Sequence, residues 1–434
     1  MDKNGIDNNE EHDEERRINR SNDRKNSMPK VKTFVAFKNP VFRLYYGALL
    51  AQRASFNMQM VTRSYLIYQL TGSYALLGLL NLTHAFPALF ASLFGGVLAD
   101  RLQKRNIILI GTLTIAALFF GVAISLTTGY LSAERTGSWW VLMAAAVLEG
   151  VFSGIMMPSR QSIIPEIVGE RNLMNGIALT SLAMNLLRLF APAIAGFVIA
   201  AYDFHVAYYS MAALSSIAAI LTAFMPYTGK IVKSSTKIFA NIKEGFRYIR
   251  RKRIVLFILI FVLISMILSM PVQILMPVFA DDILKVGASG MGILMSVSGV
   301  GGIVGSIALT LLPDKKRGLL MLASCLVLSM ALIGFSFSAS WPISLSLISI
   351  FGLGQAMRMT LGNTLVQQHT DSEYRGRVMS VYSMEISIMS LGTFAAAMLS
   401  EIIGVQWAVA SFAMALILIA SLAMIFVPQF RKLN

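Results

Sequence analysis

Four ionisable residues stand deep inside long apolar stretches of this 434-residue chain: Glu149, Arg188, Arg358 and Glu385. A charged side chain at the middle of a bilayer costs about 2.5–3.5 kcal/mol on insertion scales, so each needs a partner, a wet cavity or a function. Each half of the chain supplies one such acid and one such base. Two chemistries fit that inventory. Glu149 and Glu385 are candidate proton carriers, because a carboxyl inside a membrane can alternate between protonated and ionised forms as its surroundings change. The other reading makes Glu149–Arg188 and Arg358–Glu385 permanent ion pairs that stay silent during any transport cycle. Arg53, Asn57, Arg63, His84, Gln273 and Gln355 are further polar residues within apolar stretches and are candidates to line a cavity. Polar side chains also bridge neighbouring helices routinely, which is the competing role for each. Arg53, Arg63, Arg188 and Arg358 together would favour an anionic or carboxylate-bearing substrate; snorkelling or pairing explains some of them equally well.

Other chemistries lack their residues. His12, His84, His205 and His369 are scattered without metal-ligand spacing, and no Ser-His-Asp constellation is recognisable, so neither a metal site, a cofactor nor an enzyme is expected. Cys325 is the lone cysteine, which excludes a disulfide within the chain. The run Gly299-Val-Gly-Gly-Ile-Val-Gly305 has the spacing of a phosphate loop but lies inside an apolar helix with no strand before it; close helix packing is its expected role.

The elements that must position these residues are apolar. Hydrophobic residues make up 56% of the chain and charged ones 14%, too apolar a balance for a soluble protein of this length. Twelve stretches of membrane-spanning length follow one another, at about 41–70, 73–99, 107–128, 138–158, 172–200, 205–225, 254–280, 288–312, 318–338, 341–367, 374–402 and 405–428. The expected fold is an all-α membrane protein of twelve transmembrane helices in two pseudo-symmetric six-helix bundles, 41–225 and 254–428. Residues 1–40 read as a disordered tail without a cleavable signal, 226–253 as a basic linker, and 429–434 as a second tail. Arg101, Lys104, Arg105, Arg160, Arg171, Lys315, Lys316, Arg317, Arg375, Arg377, Arg431 and Lys432 fall on one set of alternate connections. The other set carries few cations, nearly matched by acids such as Asp203, Asp281 and Asp282. That asymmetry places both termini in the cytoplasm and explains the net charge of +15 without nucleic acid, since the cations form no continuous stripe. In the linker, Ile238, Ile242, Phe246 and Ile249 recur at helical spacing opposite Lys237, Lys243, Arg247 and Arg250 to Arg253. That pattern is an amphipathic helix suited to rest on anionic lipid headgroups.

The connection Gly95-Gly96-Val-Leu-Ala-Asp100-Arg101-Leu-Gln-Lys104-Arg105 resembles the signature loop of the major facilitator superfamily. The resemblance implies that Gly96 permits close helix packing, that Asp100 caps a helix N-terminus across the two halves, and that Arg101 and Arg105 complete an intracellular latch. Tyr68-Gln-Leu-Thr-Gly-Ser73, Pro158-Ser-Arg-Gln-Ser-Ile-Ile-Pro165, Glu244 to Arg251 and Arg375-Gly-Arg-Val-Met-Ser-Val-Tyr382 look like the branch of macrolide and multidrug efflux pumps and the enterobactin exporter. Pro158 to Arg171 and Leu361 to Arg375 occupy equivalent cytoplasmic turns of the two halves. Ala191-Pro192-Ala-Ile-Ala-Gly196 is similar to the antiporter motif of the fifth span, with Ala191 in place of its glycine, and Ala146 replaces the fourth-span arginine often linked to proton coupling. The resemblance implies a monomeric secondary transporter of the bacterial inner membrane, exporting hydrophobic or amphiphilic small molecules such as drugs or metabolites by proton antiport. A siderophore exporter of the same fold is the alternative, and a transporter-like sensor the reading from another class.

Overall fold

The computed structural model describes residues 34–226, 238–312, 315–431 and 433, apart from the side chains of Arg171, 238–243 and Ile386. The expected tail over 1–33, the Ile238, Ile242, Lys237 and Lys243 side chains of the linker, the Arg171 side chain and Lys432 lie outside them. The described residues are almost entirely helical. In lipid no water satisfies exposed backbone N–H and C=O groups, so a chain this apolar crosses as helices that close their own hydrogen bonds.

Nine helices among the described residues are both long and apolar enough to cross a membrane. Pro40–Thr71 and Trp341–Gln368 match them in length but carry more polar residues. The continuous run Trp140–Ala223 is interrupted at Gly169 and Asp203, both with positive φ, and so contains three segments: 140–168, 170–202 and 204–223. With these divisions the described residues hold twelve helical segments of crossing length, the remaining ones being Tyr74–Arg101, Lys104–Thr127, Arg253–Ile283, Gly287–Leu311, Arg317–Phe337, Arg375–Ile403 and Val405–Phe426. They are called the first to twelfth spans below.

Two boundaries differ from expectation. The fourth span continues through Pro158 and Pro165 to Gly169, so the segment read as a cytoplasmic turn is helical and Arg160 is a helix residue. Its counterpart Leu361 to Gln368 likewise belongs to the tenth span. The seventh span is divided: Arg253–Ser269 stops at Met270, Pro271–Val278 follows, and Phe279–Ile283 closes as a π-helical turn. Pro271 cannot donate a backbone hydrogen bond, which explains the stop.

The halves meet at the end opposite the linker. Tyr65 and Gln69 donate to Asp281 at 2.6 and 2.5 Å, and Tyr68 donates to Asp282 at 2.5 Å, joining the first span to the seventh. Ser73 Oγ and the Ala75 N–H donate to Glu401 at 2.8 and 3.0 Å, and Asn81 donates to Thr393 at 2.9 Å, joining the second span to the eleventh. Gly196 of the fifth span packs on Ala288 and Gly292 of the eighth. Toward their other ends these two helices carry strongly exposed apolar residues, Met174 and Leu311, both 81% exposed. The hydrogen bonds described between spans of the two halves thus lie toward the end away from Pro40 and the linker, and the contact of the fifth and eighth spans runs on only as far as Leu189 and Gly299 among the glycine contacts described.

The glycine run of the eighth span does what its helical setting implies. Gly301 and Gly305 lie against the Ser349 and Leu353 carbonyls of the tenth span, and Gly352 reciprocally against that of Ser298. A Cβ on Gly352 would overlap the Ser298 oxygen. Gly352→Val is expected to destabilise the C-terminal half by about 3 kcal/mol through overpacking, read as a lower unfolding midpoint in lipid nanodiscs. An unchanged midpoint would mean that the two helices separate freely.

The linker helix Ile238–Arg251 docks on the C-terminal half. Tyr248 stacks on Tyr374 with ring centroids 4.4 Å apart and its hydroxyl accepts from the Asp371 N–H at 3.0 Å. Glu244 pairs with Arg377 at 3.1 Å and Lys252 with Asp371 at 2.9 Å. The Lys252 hydrogen bond holds the Asp371 carboxyl below its ordinary value. This exposed clasp is complete above the usual carboxylate range and opens as pH falls through the lowered value. Phe246, expected on the apolar face with Ile249, is 51% exposed, while Ile249 is buried.

Candidate functional site

Glu149 is buried about a third of the way along the fourth span. Gln59 and Arg63, one turn apart on the first span, reach it from the same face: Gln59 donates to Oε2, and Arg63 Nη1 lies 3.3 Å from the same oxygen. His84 of the second span approaches Oε1 at 3.9 Å, and its Nε2 is buried without a hydrogen-bond partner. Gly150 and Gly154 bring the fourth span against the His84 and Ala88 carbonyls, which delivers the imidazole to the carboxylate. The expected Glu149–Arg188 pair is not made. Arg188 is exposed and has no ion pair among the described residues, and the partner of Glu149 is Arg63. Glu149→Ala leaves the Arg63 guanidinium without its counter-charge, a loss expected to cost about 3–5 kcal/mol. The double variant Glu149→Gln with Arg63→Met should recover most of it. Thermal unfolding of the three proteins checks this, and a double variant no better than Glu149→Ala would sink the pairing.

In the C-terminal half the acid and base are close without touching. Arg358 is fully buried and donates to Ser265 Oγ at 3.1 Å, while its Nε and Nη2 have no partner. Glu385 and Tyr382 are within Coulomb range of it. Glu385 is 5% exposed and its Oε2 is buried with no hydrogen bond. No ion pair closes the gap among the described residues, so the expected permanent Arg358–Glu385 pair is also absent. Gln355 binds Gln273 at 3.3 Å and Met270 Sδ at 2.9 Å, directly beside the break in the seventh span. These two candidates bridge helices within one half. Asn57 is spent locally, donating to the Arg53 carbonyl at 2.8 Å.

The signature loop is built differently from what the resemblance implies. The second span ends at Arg101 and the third begins at Lys104. The close-packing glycine is Gly95, whose Cβ would meet the Gly154 and Ile155 backbone; a Cβ on Gly96 meets nothing within 4 Å. Arg105 donates to the Thr222 and Ala223 carbonyls at the end of the sixth span, within its own half. Lys104 pairs with Glu166. Asp100 has no hydrogen bond or ion pair among the described residues, and Arg101 is exposed, which fits halves parted at this end. Pro192 and Gly196 pack the fifth span against the eighth, and Ala191 is buried in the same segment.

Residues that sequence reading left out of the site are Arg160 and the donors and acceptors at the joined end. Arg160 was hidden by its assignment to a connection. Tyr65, Tyr68 and Gln69 do carry a signal, three polar groups at i, i+3 and i+4 at the end of an apolar helix.

Comparison with known proteins agrees with this architecture. A staphyloferrin A transporter of Staphylococcus aureus is 24% identical over 331 residues, covering 76% of this chain and 82% of its own. The enterobactin exporter EntS of Shigella boydii is 25% identical over 354 residues, covering 80% and 82%. Among solved structures, a nucleoside transporter, NupG, superposes with a TM-score of 0.73 at 14% identity over 88% of this chain and 99% of its own. A POT family transporter in complex with 5-aminolevulinic acid gives 0.71 at 13% identity over 90% and 96%. Residues 45–393 match the Major Facilitator Superfamily. The chain is a multi-pass membrane transporter belonging to that superfamily, and not an enzyme.

Proposed function

We propose that this transporter exports hydrophobic or amphiphilic small molecules by proton antiport, with Glu385 as the proton carrier. The observation that carries the reading is the gap between Glu385 and Arg358: a buried carboxylate oxygen without a hydrogen bond faces a buried guanidinium with two unsatisfied N–H groups. A permanent ion pair would have closed it. A carboxyl that must release its proton when a substrate or water arrives needs such an unsatisfied neighbour. Glu149, held by Gln59 and Arg63, is the structural member of the two. Alternating access follows from halves joined at one end and parted at the other. On this reading both termini are cytoplasmic, the parted end faces the cytoplasm, and the monomer rests its linker helix on anionic headgroups of the inner membrane.

Siderophore export is the second reading, favoured by the named substrates of the relatives. The test is collapse of a preformed proton gradient in inverted vesicles as lipophilic drugs and siderophores are added in turn. A cargo-dependent collapse supports antiport and names the cargo class. Binding of cargo without any collapse would overturn it and favour a uniporter or a sensor.

A further inference from the structure

The N-terminal half carries two cations that the network around Glu149 does not use. Arg53 lies near the middle of the first span and Arg160 two turns before the Gly169 break in the fourth. They are within Coulomb range of each other and of Tyr45. Both have a buried Nε without a hydrogen-bond partner. The hydrogen bond described for Arg160 goes from Nη2 to Met156 Sδ at 3.5 Å, and a thioether is a weak acceptor. Gln52 beside Arg53 is engaged with Thr112 at 3.3 Å. No carboxylate forms an ion pair with either arginine among the described residues; Glu149 is taken by Arg63 and Glu166 by Lys104. Two like charges sharing a partly buried site with orphaned donors are unfavourable when the site is empty, and a bound anion reverses the sign of that energy. The planar fork of a guanidinium matches a carboxylate in particular, two donors to two oxygens.

We propose that Arg53 and Arg160 form an anion subsite in the N-terminal half that receives a carboxylate group of the transported molecule, open to the side where the two halves part. This rests on the export reading for its biological sense but makes its own claim about binding. It assigns to the substrate a negatively charged group as well as apolar bulk. Arg188, exposed and unpaired among the described residues on the fifth span of the same half, adds to the positive field.

The test is thermal unfolding of the purified full-length chain in nanodiscs, followed by tryptophan fluorescence, with sodium citrate titrated against sodium chloride at matched ionic strength. Citrate is expected to raise the midpoint where chloride does not. Arg53→Gln and Arg160→Gln should each weaken the apparent citrate affinity at least tenfold, and Arg160→Lys should retain part of it. The midpoint of the citrate-free protein should stay level or rise in the Gln variants, because removing one of two like charges relieves repulsion. Protection by citrate no greater than by chloride overturns the subsite. So does an undiminished citrate response in both Gln variants. Lower citrate-free midpoints in both would assign the arginines a structural role and overturn it as well. Proton-gradient collapse in vesicles of the same protein tests antiport separately, so a failed subsite and a failed export mechanism are told apart.

Discussion

Glu385→Gln is expected to abolish gradient-driven export while leaving counterflow of cargo intact. The amide keeps the size of the protonated carboxyl but never ionises, so the chain should behave as though permanently loaded. On the proposed antiport reading, proton release from position 385 is the step removed. The loss in driven rate should be about 100-fold or more, equivalent to ~2.7 kcal/mol at the coupled step. Alternation of the halves needs only cargo on both sides and should continue. Arg358 decides how clean the effect is. Its Nε and Nη2 already lack partners, so the variant adds no new orphan of the kind Glu149→Gln creates beside Arg63. Glu149→Gln should therefore lower stability more than it lowers coupling, and Glu385→Gln the reverse. Driven efflux and counterflow measured in the same proteoliposomes separate the two. Undiminished driven efflux in Glu385→Gln removes the carrier assignment.

Depth in the membrane was legible from the chain, and direction around each helix was not. Hydropathy locates the spans because lipid punishes every misplaced charge in proportion to its depth. It therefore assigned Glu149, Arg188, Arg358 and Glu385 to spans, and each lies within a helical segment of crossing length. Pairing Glu149 with Arg188 failed because a shared apolar setting does not say which way a side chain points around its helix; Gln59 and Arg63, four apart on one face, were the better clue. Gly95 against Gly96 is the same difficulty at one-residue resolution, since a single step turns a helix by about 100°. Arg160 was concealed by a sound rule, because the positive-inside pattern gives every cation near a helix end a reason to exist. Pro158 and Pro165 read as punctuation, yet the fourth span runs through both and stops at Gly169, where φ is +68°. In the seventh span the break near Pro271 went unpredicted because hydropathy is blind to backbone hydrogen bonding.

Gly196→Val is expected to hold the two halves apart at the end where they now touch. The Gly196 Cα sits so close to the Ala288 carbonyl and to Gly292 that a Cβ cannot be placed without moving one helix. Both neighbours are backbone, which cannot swing aside as a flexible side chain would. The hydrogen bonds of Tyr65, Tyr68 and Gln69 to Asp281 and Asp282 then span a widened gap and are lost together, because they bridge the same seam. What remains of each half is intact: the fifth span keeps its own buried face through Ala191 and Ala195, so the protein should fold with a nearly unchanged midpoint. Transport should fall to background because one of the two closed states is no longer reachable. Accessibility supplies the direct readout. Thr393 is 1% exposed behind this seam, so a Thr393→Cys probe in a Cys325→Ser background should react slowly with a membrane-impermeant maleimide. Adding Gly196→Val should speed that reaction by about tenfold or more, the population change that ~1.4 kcal/mol of strain produces. Equal labelling rates with and without Gly196→Val would mean that the seam tolerates the extra methyls, and the joined end would then owe its closure to its hydrogen bonds, those of Asp281, Asp282 and Glu401 among them.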